Sequence, residues 1–188
     1  MEPAPDLAPT FRDAVPSAAD AAALAAIGAR TFVETFGHLY RLDDLCAFLA
    51  SDHSAPAAAA LLAQPGVRVR FAELGGQVMG YAVLAPNALP HVPEDLSVAE
   101  LKRLYLRPVL QGRGVADALM DWAEAMALAD GRDAVSLSVF SENHRARRFY
   151  ARRGYVHLGE YRFMVGRQAD LEHVWMRRLQ HAGMRRFP

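Results

Sequence analysis

Two short stretches of this sequence combine residue types that can do chemistry. In the first, Leu104-Tyr105-Leu106-Arg107-Pro108-Val109-Leu110-Gln111-Gly112-Arg113-Gly114-Val115-Ala116, a β-like run passes through glycines into a helix-like run. Glycines let a ligand approach the main chain, and the unpaired N–H groups of a helix start, reinforced by its dipole, suit a diphosphate. Two familiar phosphate loops do not fit. A Walker loop ends in Gly-Lys-Ser/Thr, whereas Gly114 is followed by Val115-Ala116. A dinucleotide fingerprint needs Gly or Ala where this chain has Asp117, whose charge repels phosphate. Taken alone, the stretch reads equally as a plain tight turn.

The second stretch, Asn143-His144-Arg145-Ala146-Arg147-Arg148-Phe149-Tyr150-Ala151-Arg152-Arg153-Gly154-Tyr155, lies one β-like run downstream. Ala146, Phe149 and Tyr150 share one face of a helix at i, i+3 and i+4. Asn143 is either that helix's cap or a ligand group, and Tyr150 either a core side chain or a proton donor. Taken together, the two stretches carry a resemblance. Gln111-x-x-Gly114-x-Ala116 resembles the Q/R-x-x-G-x-G/A motif of the GNAT superfamily of N-acetyltransferases. Asn143-x-x-Ala146-x-x-Phe149-Tyr150-x-x-x-Gly154-Tyr155 resembles its second conserved block, in the same order and at a similar separation. The strand, hairpin, strand pattern from Val67 onward is similar too, so the resemblance spans about Phe11 to Leu179.

The resemblance implies acetyl-CoA as cosubstrate, with its pyrophosphate on main-chain N–H groups from Gln111, Gly112, Arg113, Gly114, Val115 and Ala116. It implies a pantetheine arm alongside Leu104, Tyr105 and Leu106, with the N–H of Leu106 as an oxyanion donor. Asn143 resembles the residue that binds the arm, and Tyr150 the residue that protonates the departing thiolate. An ammonium acceptor must lose a proton, so a base is expected. Glu100 stands eleven positions before Gln111, a spacing similar to that of the catalytic glutamate of histone-acetylating members; otherwise it is a solvated strand end. Thr31 to His38, followed by Asp43-Asp44, resembles the opening of bacterial polyamine acetyltransferases. This implies a small polyamine-like primary amine as acceptor, with Glu34 and His91 as substrate-side candidates. Glu34, Asp43, Asp44, Asp52, Glu94 and Asp95 would give the mouth acidic character. Protein amino groups and aminoglycosides are the alternative acceptors. An acyl-CoA-binding regulatory module would carry the same loops without turnover. Members of the superfamily are often dimers, so a homodimer is among the implied partners.

The elements that must position these residues are legible in outline. Phe11 to Val15 alternates like a strand, and Ser17 with Asp20 forms a capping signature ahead of a helix to about Phe36. Leu42, Leu45, Phe48 and Leu49 recur at helical spacing, and an alanine-rich helix over 56–63 stops at Pro65-Gly66. Strands are expected over 67–73 and 78–85 around a Gly75-Gly76 hairpin, then over 101–106, with a loop between. Val115, Leu119, Trp122 and Met126 mark an amphipathic helix, followed by a strand over 134–139, a helix over 143–153, and strands over 155–165 and 172–179. The fold class is α/β (α+β): a mixed, mostly antiparallel twisted sheet of about six to seven strands with about four to five helices. Residues 10–180 form one expected domain between tails over 1–9 and 181–188.

Composition sets the limits. With 188 residues, one core is the default. Lys plus Arg equal Asp plus Glu at 21 each, so no global field favours nucleic acid or an anionic membrane. The arginines of 145–153 are expected on a solvated face, with one within reach of a CoA phosphate. Cys46 is the only cysteine, excludes an intrachain disulfide, and is expected in the core. The N-terminal stretch lacks the basic and apolar regions of a signal peptide, which leaves a cytoplasmic location expected. The seven histidines form no H-x-x-x-H pair, so no metal site is expected.

Overall fold

A computed structural model describes residues 8–180; the expected tails lie, apart from residues 8 and 9, outside the described residues. In chain order the elements are β1 (Thr10–Asp13), α1 (Ala18–Phe36), α2 (Leu42–Asp52), α3 (Ala55–Leu62), β2 (Arg68–Leu74), β3 (Gln77–Pro86) and β4 (Val98–Leu106). Then follow α4 (Val115–Ala129), β5 (Ala134–Phe140), α5 (His144–Arg152), β6 (Val156–Val165) and β7 (Gln168–Arg178). The seven strands form one sheet in the order β1-β2-β3-β4-β5-β7-β6, in which only β4 and β5 run parallel.

Serine side chains cap two helix starts, at Ser17 as expected and at Ser54 in addition. The Ser17 hydroxyl accepts from the N–H of Asp20 at 3.2 Å, and Ser54 does the same for Ala57 at 3.3 Å. The Asp20 carboxylate takes two bonds from Arg12, at 2.8 and 3.1 Å, and one from the N–H of Val15 at 2.8 Å. It thereby ties β1 to α1. In the β2–β3 hairpin both Gly75 and Gly76 have positive φ, 59° and 75°, as a tight turn between twisted strands requires.

The period-2 alternation of the strands feeds two cores. Ala72, Ala82, Leu84, Leu101, Val135 and Leu137 face α4, where they meet Leu119, Met120, Trp122 and Ala123. Val69, Phe71, Tyr81 and Val83 face the other way, onto Leu24 and Ile27 of α1 and Leu61 of α3. Tyr81 and Phe71 are fully buried, and side chains of this size contribute about 1.5–3 kcal/mol each on leaving water. A third cluster, Phe32, Leu45, Phe48 and Val165, closes α1 and α2 over β6. No single helix among the described residues is long and apolar enough to cross a membrane.

Three expectations need correction. Cys46 is exposed on α2, because Leu45 and Phe48 take the buried stripe. β4 begins at Val98, three residues early, since Val98, Ala99 and Glu100 pair with Ala134, Val135 and Ser136 of β5. Glu100 is therefore not a solvated strand end; it is 6% exposed. β7 likewise starts earlier than expected, at Gln168.

Candidate active site

The site begins where the sheet divides. β4 and β5 stay paired for only three residue pairs, the last being Glu100 with Ser136. Opposite β3, Leu101 faces Leu84 and Arg103 faces Val83, so Lys102 is an extra residue, a bulge in β4. Beyond it β4 follows β3 and leaves β5. The N–H of Arg107 donates to Met79 O at 2.8 Å across the β3 edge. Alternation along the strand then turns the N–H groups of Leu104 and Leu106 to the opposite edge, the one β5 has vacated. That edge can accept an extended ligand as a further strand.

β4 runs into the glycine turn. Leu110 and Val115 are buried and anchor it on both sides, while Gln111 to Gly114 are exposed. Gly112 and Gly114 have φ of 75° and 74°, and a Cβ added at either would meet nothing within 4 Å. Gly114 is the N-cap of α4 and makes no side-chain cap bond, so the first N–H donors of α4 are not covered by a cap side chain. Arg145 of α5 donates to the side-chain oxygen of Gln111 and joins the second motif to this turn. The arrangement is an open, positively polarised cradle for an anion.

Between the parted strands lies a cavity of about 340 Å³. Glu100, Leu104 and Tyr105 of β4 line it, as do Asn143, Ala146 and Tyr150 at the start and on one face of α5. Asn143 caps α5, its Oδ1 accepting from the N–H of Ala146 at 3.1 Å, which leaves its NH₂ group as a donor. Both roles considered for Asn143 are thus compatible. Tyr150 is 8% exposed, and burial pushes its hydroxyl well above the usual phenol range, so it holds its proton at neutral pH. The Glu100 carboxylate accepts from the N–H of Ala88 at 3.0 Å.

The remaining walls are aromatic and acidic. Phe32, Phe36, Tyr40, Phe48, Tyr161 and Phe163 contribute rings, and Asp170 and Glu172 of β7 contribute carboxylates. Sequence reasoning missed the last two. In a strand reading Gln-Ala-Asp-Leu-Glu-His, charged residues look solvated; the missed signal is that Asp170 and Glu172 are in phase with the buried Val174 and Met176. Tyr40 donates its hydroxyl to Asp170, which also accepts from Gln168 at 2.8 Å. Glu172 is pushed up to about 7, first by burial and then by the charge of Asp170, against a lowering contribution from Ser138.

Other expected residues lie elsewhere. Glu34 is exposed on α1, where its carboxylate meets Arg30 at 3.1 Å and Arg107 at 3.2 Å, and it does not line the cavity. His91 does not line it either; its Nε2 lies 2.9 Å from Glu160 O, and its ring packs against Gly159. Of the six acidic residues expected at the mouth, Asp52 alone is on the cavity wall. Arg153 is engaged by Asp117, Asp121 and Glu124 of α4, and Arg147 by Ser141 O. On strands β6 and β7, His157, Glu160 and His173 gather with one nitrogen or oxygen each within 4.8 Å of one another, outside the cavity wall. Their spacing along the chain hid this grouping.

Comparison with known proteins follows the same lines. A profile of the Acetyltransferase (GNAT) family matches residues 33–155. An uncharacterised N-acetyltransferase of Mycobacterium tuberculosis (strain ATCC 25618 / H37Rv) is 34% identical over 160 residues, 85% of this chain and 98% of that protein. One from Lactobacillus delbrueckii subsp. lactis is 31% identical over 147 residues, 77% of this chain and 85% of its own length. Among solved structures, the PaiA N-acetyltransferase of Thermoplasma acidophilum in complex with coenzyme A superposes with a TM-score of 0.69 at 16% identity, covering 90% of this chain and 99% of that one.

Proposed function

This chain belongs to the GNAT family of acetyl-CoA-dependent N-acetyltransferases, and from that premise we propose that it moves the acetyl group of acetyl-CoA onto a small, polyamine-like primary amine by direct attack in a ternary complex. The observation that carries this reading is the parting of β4 from β5 over a cavity that has Tyr150 on one wall and acidic and aromatic groups on the others. A cationic amine suits such a chamber, because rings and carboxylates both attract positive charge.

Each residue then has a role. The CoA diphosphate sits on the amides of Gln111, Gly112, Arg113, Gly114, Val115 and Ala116. The pantetheine arm lies along Leu104, Tyr105 and Leu106, and receives a hydrogen bond from Asn143. The N–H of Leu106 stabilises the oxyanion of the tetrahedral intermediate. Tyr150, which burial keeps in its protonated form, gives its proton to the leaving thiolate. Glu100, on the cavity wall, is a candidate for the base, the role that the resemblance implies for it. No step is routed through a metal. That the PaiA relative was crystallised with coenzyme A supports the cofactor assignment.

The test is calorimetry with coenzyme A, followed by thiol release from acetyl-CoA with spermidine, aminoglycosides and a lysine peptide. The exposed Cys46 adds a background of one thiol per chain, so Cys46→Ser is the working protein. The expected result is binding of the cofactor and faster release with spermidine than with the peptide. Binding without release from any amine would make the protein an acyl-CoA-binding module, and failure to bind would overturn the assignment.

A further inference from the structure

The proposed reaction leaves open which group takes the ammonium proton, and two carboxylates of β7 bear on it. Asp170 and Glu172 stand two residues apart on one face of the strand, and both line the cavity. Their surroundings differ. Asp170 receives two donors, the hydroxyl of Tyr40 and the amide of Gln168 at 2.8 Å. Glu172 has Ser138 as its one hydrogen-bonding influence, no cation among the causes of its shift, and the negative charge of Asp170 nearby. Two like groups held in unlike environments divide acid–base work between them.

We infer that Glu172 is the base that deprotonates the incoming ammonium and Asp170 the anchor that holds the cation beside it; this deepens, and rests on, the acetyl-transfer reading of the cavity. Other titratable groups on the cavity wall are poorer acceptors. The hydroxyls of Tyr40, Tyr105, Tyr150 and Tyr161 are all pushed up by burial, Tyr161 to about 12, and stay neutral. Lys102 and Arg103 are cationic, while His53 is pushed down to about 4 by burial and by Arg103. Of the other wall carboxylates, Asp52 lies 3.9 Å from Arg103, and Glu100 accepts the N–H of Ala88 through one of its oxygens.

The protons balance as follows. Glu172 takes one proton from R–NH₃⁺, and the freed lone pair forms the N–C bond to the thioester carbonyl. Collapse of the adduct breaks the C–S bond, and the sulfur takes the proton of Tyr150. The second nitrogen proton returns to the Tyr150 oxygen. Glu172 then loses its proton to solvent, so each turnover yields the amide, the CoA thiol and one H⁺.

The experiment uses the full chain with acetyl-CoA and spermidine, and compares pH profiles of kcat for wild type, Glu172→Gln, Glu100→Gln and Asp170→Asn. For wild type, kcat is expected to fall below about pH 7. Glu172→Gln should lower kcat by roughly 10²-fold and abolish that limb. Asp170→Asn should raise KM for spermidine by about tenfold and keep the limb. Persistence of the limb in Glu172→Gln, or its loss in Glu100→Gln instead, overturns the assignment. If no amine turns over, infrared difference spectra of the protein across pH replace kinetics. A carboxyl band that ionises near neutrality in wild type and is missing in Glu172→Gln supports the assignment, and its absence from wild type overturns it. Calorimetry with coenzyme A reports separately on the acetyl-transfer reading.

Discussion

Two carboxylates at opposite ends of the sheet are treated in opposite ways. Asp20, at the start of α1, is 5% exposed and supplied with donors in excess: two from Arg12, one from the N–H of Val15. The hydrogen bonds of Arg12 hold its carboxyl below the usual range. Glu172, on the cavity wall of β7, lacks such supply, and burial pushes it up to about 7. One charge pins a helix to a strand and is never meant to move. The other is kept close to its neutral form, as suits a group that must take and release a proton. The chemistry of a carboxyl thus follows from how many donors the fold brings to it.

Four substitutions break or sharpen this contrast. The largest effect is expected from Tyr150→Phe, which removes a hydroxyl on the reactive side alone. CoA release should drop by about 10²-fold or more while calorimetric affinity for coenzyme A holds. Next is Asp20→Ala on the structural side, with about 2 kcal/mol of unfolding free energy lost and activity per folded molecule kept. Because Asp20 is depressed in the folded state, its contribution is complete above its ordinary value of 3.8 and disappears as pH falls through the depressed one. Denaturant titrations of both proteins at neutral and acid pH check this.

Glu172→Gln should act in the reverse sense on stability. A raised folded pKa means that the wild type loses stability as pH rises from its ordinary value of 4.5 to about 7. The variant should therefore melt a few degrees higher at pH 8, with the gap closing toward pH 5, as thermal scans would report. The smallest effect is expected from Gly114→Ala. Open space around its Cβ leaves only the cost of φ near 74°, about 1 kcal/mol. If the diphosphate lies over that turn, calorimetry should show the affinity for coenzyme A falling by more than this cost in stability accounts for.

The residues that announced themselves in the sequence are those whose job is local. Ser17 and Asp20 mark α1 because a cap is read within one turn of chain, and Gly75, Gly76 and Gly114 because positive φ excludes most other residues. The two motifs that resemble the family's conserved blocks are local in the same sense. Asp170 and Glu172 stayed hidden because which face of β7 meets a cavity is decided by strands and helices far away in sequence. Glu34 misled because acidic residues on an exposed helix are common; here it braces Arg107 instead. The early start of β4 escaped because its partner residues on β5 lie beyond α4, more than thirty positions along the chain, where no local pattern reports them.

The bulge at Lys102 divides the sheet into two leaves joined along β4 and β5 by just three residue pairs. An extended molecule bonded to the free margin of Leu104 and Leu106 would do what a missing strand does and stiffen the seam. Amide exchange along 101–106 and 137–140 would then slow together on loading, and a seam stiffened in this way would favour entry of the thioester before the amine.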